Sequence, residues 1–257
     1  MKNLCIKGAS VFAFAFAAQL AFAAPVTITS TATSGPKILS TSVATISVAP
    51  YVQGALNFGR VNGRLPSITA DGGATATVGQ IKNKFTGVTL FSALSFSMPV
   101  TSMTYEATDQ SILGDTLQGG IKIVAEQNPS NFFILGGELT IQDLRVDYAT
   151  KTIYVTVIGA NGVGVQRNVP FWSYTAAIGN TTFPGGNVQT TLTPIRLTTD
   201  GLNTWLQSLG FDRTGRTSFN ATNNAPTGFG TMTISVNTAG TATPPPPPPQ
   251  DPTCKTP

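Results

Sequence analysis

The sequence predicts an all-β fold: an antiparallel β-sandwich with one short C-terminal helix packed on it. Three observations carry this. Only 10% of the 257 residues are charged, far from the Ala-, Glu-, Lys- and Leu-rich composition of helical bundles and coiled coils. Apolar residues alternate with threonine and serine in short runs from residue 26 to residue 236, the period of a strand with one buried face. The 26 glycines and 18 prolines fall in clusters between those runs, where turns are needed.

The N-terminus has the three parts of a secretory signal peptide. Lys2 and Lys7 form a basic start, an apolar stretch runs from Val11 to Phe22, and Ala21-Phe22-Ala23 offers a small-x-small cleavage site. Cleavage is expected after Ala23. The apolar stretch falls short of the roughly 20 residues needed to span a bilayer, and no later stretch reaches that length. Export to the periplasm or the cell exterior, with no transmembrane segment in the mature chain, is the expectation. Losing Lys2 and Lys7 also lowers the formal charge from +4 to +2, with 13 basic and 11 acidic residues left. No basic run remains that would track phosphates, so nucleic acid is not an expected partner.

Residues 24–237 read as the β domain. Val26–Thr29, Val43–Val48, Gly120–Val124 and Thr231–Val236 alternate cleanly, and Leu90–Val100 alternates less regularly. A hairpin is the clearest unit. Its first arm carries Leu139, Ile141, Leu144 and Val146, and the parity change predicts a bulge at Gln142-Asp143. Its return arm carries Ile153, Val155 and Val157, with Asp147 and Lys151 placed to face each other across the turn. Leu202, Trp205, Leu206 and Leu209 recur at helical spacing. That helix is predicted to be capped at its start by Thr199 or Asp200, to stop at Gly210, and to plug one end of the β body or cover a sheet edge. Residues 238–257 form a proline-rich tail, disordered and extended, with six consecutive prolines from Pro244.

The absence of histidine removes Ser-His-Asp and Cys-His nucleophiles, His-ligated zinc and His-ligated haem. No catalytic residue, metal set or cofactor motif is assigned, and the chain is read as a non-enzyme. Phe171, Trp172, Tyr174 and Phe183 are the candidate binding surface, since alternating aromatics on two faces of a strand cannot all enter a one-sided core. A protein or glycan surface is the partner this predicts. Cys254 is left as an odd cysteine on the tail, a candidate for a disulfide-linked homodimer. A second reading is a histidine-independent enzyme acting on polysaccharide through paired carboxylates. Glu106, Asp109 and Asp115 are the densest acidic cluster, in a stretch otherwise read as a loop.

The segment Gly136-Gly137-Glu138-Leu139-Thr140-Ile141-Gln142-Asp143-Leu144-Arg145-Val146-Asp147, continued by Thr150-Lys151-Thr152-Ile153-Tyr154-Val155, resembles a recurrent piece of HtaA-type domains, which are exported bacterial β-domains. It is also similar to exported proteins of Gram-negative bacteria. The HtaA-type resemblance implies a small-ligand site of the haem kind, built in that family from tyrosine and histidine. Tyr148 and Tyr154 lie in the matching segment as possible ligands, and this chain departs from the pattern in having no histidine.

Overall fold

A computed structural model describes residues 24–57, 64–128, 135–183 and 185–240. The predicted signal peptide, nearly all of the proline-rich tail and Cys254 lie outside the described residues.

Among the described residues, thirteen strands and three helices follow one another. The first third holds β1 (Val26–Thr29), β2 (Lys37–Ile38), β3 (Val43–Val48), helix α1 (Pro50–Asn57), β4 (Ser67–Asp71) and β5 (Thr75–Lys82). Next come the long β6 (Thr89–Tyr105), β7 (Ile112–Leu117), β8 (Gly120–Ala125), β9 (Gly137–Asp147) and β10 (Thr152–Gly159). The last third holds β11 (Gly164–Gly179), β12 (Asn187–Leu197), α2 (Thr199–Ser208), α3 (Arg213–Asn223) and β13 (Gly230–Ala239). All described strand pairings are antiparallel. The all-β antiparallel prediction therefore holds, with β13 running two residues past the expected boundary at residue 237.

The two layers expected of a sandwich are opposite walls of one sheet that closes on itself. The ladder runs from β6 through β3, β13, β12, β11, β10, β9 and β7 back to β6. Closure removes the free edges of these eight strands, a physical solution to the edge problem of large antiparallel sheets. The inward face is apolar by period 2: Ala44, Ile46 and Val48 on β3, Met232, Ile234 and Val236 on β13, and Ile153, Val155 and Val157 on β10 are all buried. On β9 the buried set changes parity between Ile141 and Leu144. The predicted bulge causes this, with Asp143 at φ 54° and its N–H bonded to Gly119 O at 3.1 Å.

The wall between β6 and β7 opens toward one end. There β8 continues the line of β7 but pairs with β4, while β6 pairs with β5. The β4–β5 turn presses against Gly119. A Cβ on Gly119 would lie 2.7 Å from Gly72 O, and its φ is +78°, so two constraints select glycine there.

Among the described residues three helices are present where one was predicted. The predicted one, α2, packs on β9, β10, β11 and β12 at one end of the closed sheet, as expected of a plug. Its N-cap is Thr198, not Thr199 or Asp200: the Thr198 side chain accepts from Gly201 N. Gly210 follows the helix at φ 68°, as predicted. The other two carry weak sequence signals. Helix α1 has one eight-residue stretch with Pro50 at its first position. Helix α3 is built of Thr, Arg, Asn and Gly around a single large apolar residue, Phe219, and is started by Asp212, whose carboxylate accepts from Gly215 N at 2.6 Å.

Candidate functional site

At the helix end, α1 and α3 pack against each other and α1 rests on β6. Val52, Ala55 and Leu56 form the buried side of α1, at the i, i+3, i+4 spacing of one helical face. The helix is pinned at both ends by side chains. Gln53 donates to Val48 O at 2.7 Å. Asn57 accepts from Phe91 N at 2.7 Å and donates to Phe91 O at 3.4 Å. Tyr51 lies at the edge of that face, one turn before Ala55, and is 63% exposed. Helix α3 is held to β12 by the buried Asn223, which accepts from Leu197 N at 2.8 Å and donates to Leu197 O at 2.9 Å.

Behind these helices lies a run of aromatic rings. Phe219 stacks on Trp205 with centroids 5.5 Å apart, Phe211 meets Phe219 edge-on at 5.5 Å, and Phe229 sits against both Trp205 and Trp172. The backbone of α2 comes directly onto β11, because a Cβ on Gly201 would strike Phe171 O. Between α1 and α3 this arrangement leaves a groove of about 350 Å³. Pro50, Tyr51, Ala55, Phe211 and Phe219 are among its lining residues, and no carboxylate, amine or thiol lines it. Chemically it can hold an apolar molecule and offer it one phenolic oxygen.

The turn end of the closed sheet is polar inside. Asp115, on β7, is 2% exposed. Its Oδ2 accepts from the Tyr148 hydroxyl at 2.9 Å, while its Oδ1 has no hydrogen-bond partner. Burial pushes the Asp115 carboxyl up to about 7, against a smaller downward pull from the Tyr148 hydrogen bond. Tyr148 is pushed well above the usual phenol range by its burial and then by the Asp115 charge. Tyr174 is raised by burial, then by Asp147 and Asp115, and its ring meets Tyr148 edge-on at 6.4 Å. Around pH 7 this cluster can exchange one proton, at Asp115.

Sequence reasoning placed the site elsewhere. Phe171, Trp172, Tyr174 and Phe183 are all buried, so they do not form the exposed recognition surface expected of them. The closed sheet and the helix plug give both faces of β11 something to pack on: Phe171 and Trp172 meet each other edge-on at 4.6 Å, and Trp172 meets Phe229. Phe183 packs on Tyr105 at 4.9 Å. Tyr148 is spent on Asp115. Tyr154 is half-buried beneath the Arg145 guanidinium, 4.2 Å from its ring centre. The two candidate ligand tyrosines are thus not brought together, and neither lines the α1–α3 groove.

The acidic cluster also separates. Asp109 accepts from Ser111 N and Ser111 Oγ in a turn, bonds that hold its carboxyl below the usual range. Asp115 points into the core instead. Among the described residues no group of three or more acidic or thiol side chains is placed to hold a metal. Asp147 and Lys151 do not pair either: Asp147 accepts from Thr150 N, and Lys151 donates to Thr175 O.

Tyr51 and the buried state of Asp115 are what sequence reasoning missed. Pro50, followed by Val52, Ala55 and Leu56, is a short helix signature that puts Tyr51 outside. Asp115 shares strand parity with Leu117, so its inward position was readable once the stretch was taken as a strand.

No family model matches the chain, and no curated protein matches it. Among solved structures, the heme binding protein HtaB from Corynebacterium glutamicum superimposes with a TM-score of 0.47 at 14% identity, covering 84% of this chain and 96% of that one.

Proposed function

We propose that this chain is an exported, non-enzymatic binding protein that holds a small, flat, largely apolar molecule of the haem type between α1 and α3. One observation carries the reading: an apolar concavity of about 350 Å³ with an exposed tyrosine hydroxyl among its lining groups. Ligand pockets are of this kind, apolar walls with few polar groups to fix orientation, from about 300 Å³ upward. Tyr51 supplies the oxygen, a donor type that serves as an axial ligand to haem iron in other proteins. Pro50, Ala55 and Phe219 supply the apolar contact.

The non-enzymatic part is supported by what lines the groove. Without a carboxylate, amine, thiol or histidine there is no acid–base pair to move a proton. Export is supported by Lys2 and Lys7, the apolar stretch and Ala21-Phe22-Ala23. The reading replaces the protein or glycan partner expected of the aromatic segment, because those rings are committed to the core.

Titration of haem into the chain from Ala24 to Pro257 tests it. A saturable Soret shift near one haem per chain is expected, with affinity reduced at least about tenfold and an altered ferric spectrum in Tyr51→Phe. No Soret change, or an unchanged titration in Tyr51→Phe, would overturn the reading.

A further inference from the structure

The β5–β6 hairpin projects an aromatic and basic tip. Its two strands pair from Thr75↔Ser97 to Lys82↔Thr89, with an irregularity between Gly79 and Gln80. Beyond it Gln80, Ile81 and Lys82 are exposed on β5. The turn is built from its own hydrogen bonds. Asn83 N donates to Val88 O at 2.8 Å, and Gly87 N donates to Asn83 O at 2.8 Å. The Asn83 side-chain oxygen accepts from Phe85 N at 2.9 Å and Thr86 N at 3.0 Å. This ordered turn leaves Phe85 99% exposed, with Ile81 57% exposed nearby.

The charge around these apolar groups is all of one sign. Lys82 and Lys84 flank the tip, both exposed. Neither makes a salt bridge among the described residues. A Cβ on Gly87 would lie 3.9 Å from Lys82 Cε, so the lysine stem runs along the turn. No acidic residue occurs between Asp71 and Glu106.

We infer that this hairpin tip is a membrane-contact finger: Phe85 and Ile81 enter the boundary between headgroups and acyl chains of an anionic bilayer, and Lys82 and Lys84 hold its phosphates. The chemistry of the tip selects this occupant. An aromatic ring with flanking lysines is the composition of interfacial anchors, where apolar burial adds to attraction by anionic lipid. Lysine stems lie along apolar surface while their ammonium groups stay in water, whereas lysine is depleted from the buried centre of protein–protein interfaces. The turn is already ordered, so binding costs little conformational entropy.

Co-sedimentation of the chain from Ala24 to Pro257 with vesicles is the test, using phosphatidylglycerol mixed with phosphatidylcholine, and phosphatidylcholine alone. Partition to the anionic vesicles, weakened by added salt, is expected. Phe85→Ala and the double variant Lys82→Gln, Lys84→Gln should each lower it at least about fivefold, with the urea midpoint of unfolding unchanged. Phe85→Trp should gain blue-shifted emission on adding anionic vesicles. A parent chain that stays in the supernatant, variants that partition like the parent, or an unshifted Phe85→Trp spectrum each overturns the inference. A tip made for a protein pocket would give the first of these results.

Discussion

The two ends of the closed sheet are finished in opposite ways. At the helix end, helices do the closing: α2 lies on β11 through Gly201, and the Asn223 side chain of α3 bonds both backbone polar groups of Leu197. Leu197 N and O are satisfied there by a fixed partner, while the indole N–H groups of Trp172 and Trp205 behind the helices are buried without one. At the turn end, side chains do the closing, and one of them is a carboxylic acid with an oxygen left unbonded. A helical cover leaves room at its seams, hence the groove beside Tyr51. The space at the turn end, about 370 Å³, has Asp115, Arg145 and Asp147 among its lining residues, so a side-chain cover leaves polar and charged groups to be satisfied one by one. The helix end is therefore suited to holding an apolar ligand, and the turn end to responding to pH.

The largest expected effect breaks the helix end. Trp205 is 1% exposed and touches Phe219 and Phe229. Its indole N–H is buried without a hydrogen-bond partner, so the residue contributes through area and packing alone. Trp205→Ala should cost up to about 5 kcal/mol. Urea unfolding followed by circular dichroism checks this, and a loss below about 1 kcal/mol would mean that the plug is not part of the cooperative core.

At the turn end the expected effect depends on pH. An unfolded Asp115 titrates near 3.8 and the folded one near 7. Well below pH 3.8 the group is protonated in both states and costs nothing. As pH rises toward 7 the unfolded chain ionises first, so stability is lost progressively and then levels off above about pH 7. The full shift corresponds to on the order of 4 kcal/mol. Tyr148 and Tyr174, which face the carboxyl, stay neutral across this range because both are raised. The exposed Asp109 and the partly exposed Asp147 are shifted the other way, so the comparison must be made between the parent and Asp115→Asn. The urea midpoint of the parent minus that of the variant should fall between pH 4.5 and pH 7.5. A pH-independent difference would show that Asp115 is not protonated in the fold at neutral pH.

Much of the β body could be read from the sequence because period 2 is a local property. Leu139 to Val146 announced both their strand and its bulge, and Ile153 to Val157 announced its partner. What period 2 does not encode is closure. Nothing local to β7 says that Asp115 pairs opposite Val146 on one side and Met103 on the other. A stretch with three acids reads as a solvated loop until those partners are known. The same gap misplaced the aromatic site. Trp172 and Phe171 alternate as if one must face water, but Phe229, 57 residues on from Trp172, arrives to cover the indole. Helix α3 was hidden for a different reason. Most of its residues, the Thr, Asn, Ser and Gly, have low helix propensity, and its stability rests on tertiary bonds from Asn223 and on Phe219 packing.

The smallest effect sharpens the contrast between the ends. Thr198 joins the plug to the wall in three ways: its N–H donates to Phe171 O at 3.0 Å, its hydroxyl donates to Pro170 O, and its hydroxyl oxygen accepts from Gly201 N at 3.0 Å. Thr198→Ala keeps the backbone bond and removes the other two. A lost N-cap costs about 1 kcal/mol, up to about 2, with no titratable group taking part. The urea midpoint should therefore drop by the same amount at pH 4.5 and pH 7.5, whereas the Asp115→Asn effect varies over that interval. Equal pH dependence in both variants would mean that the two ends are coupled, with the Asp115 charge felt across the barrel at the α2 cap.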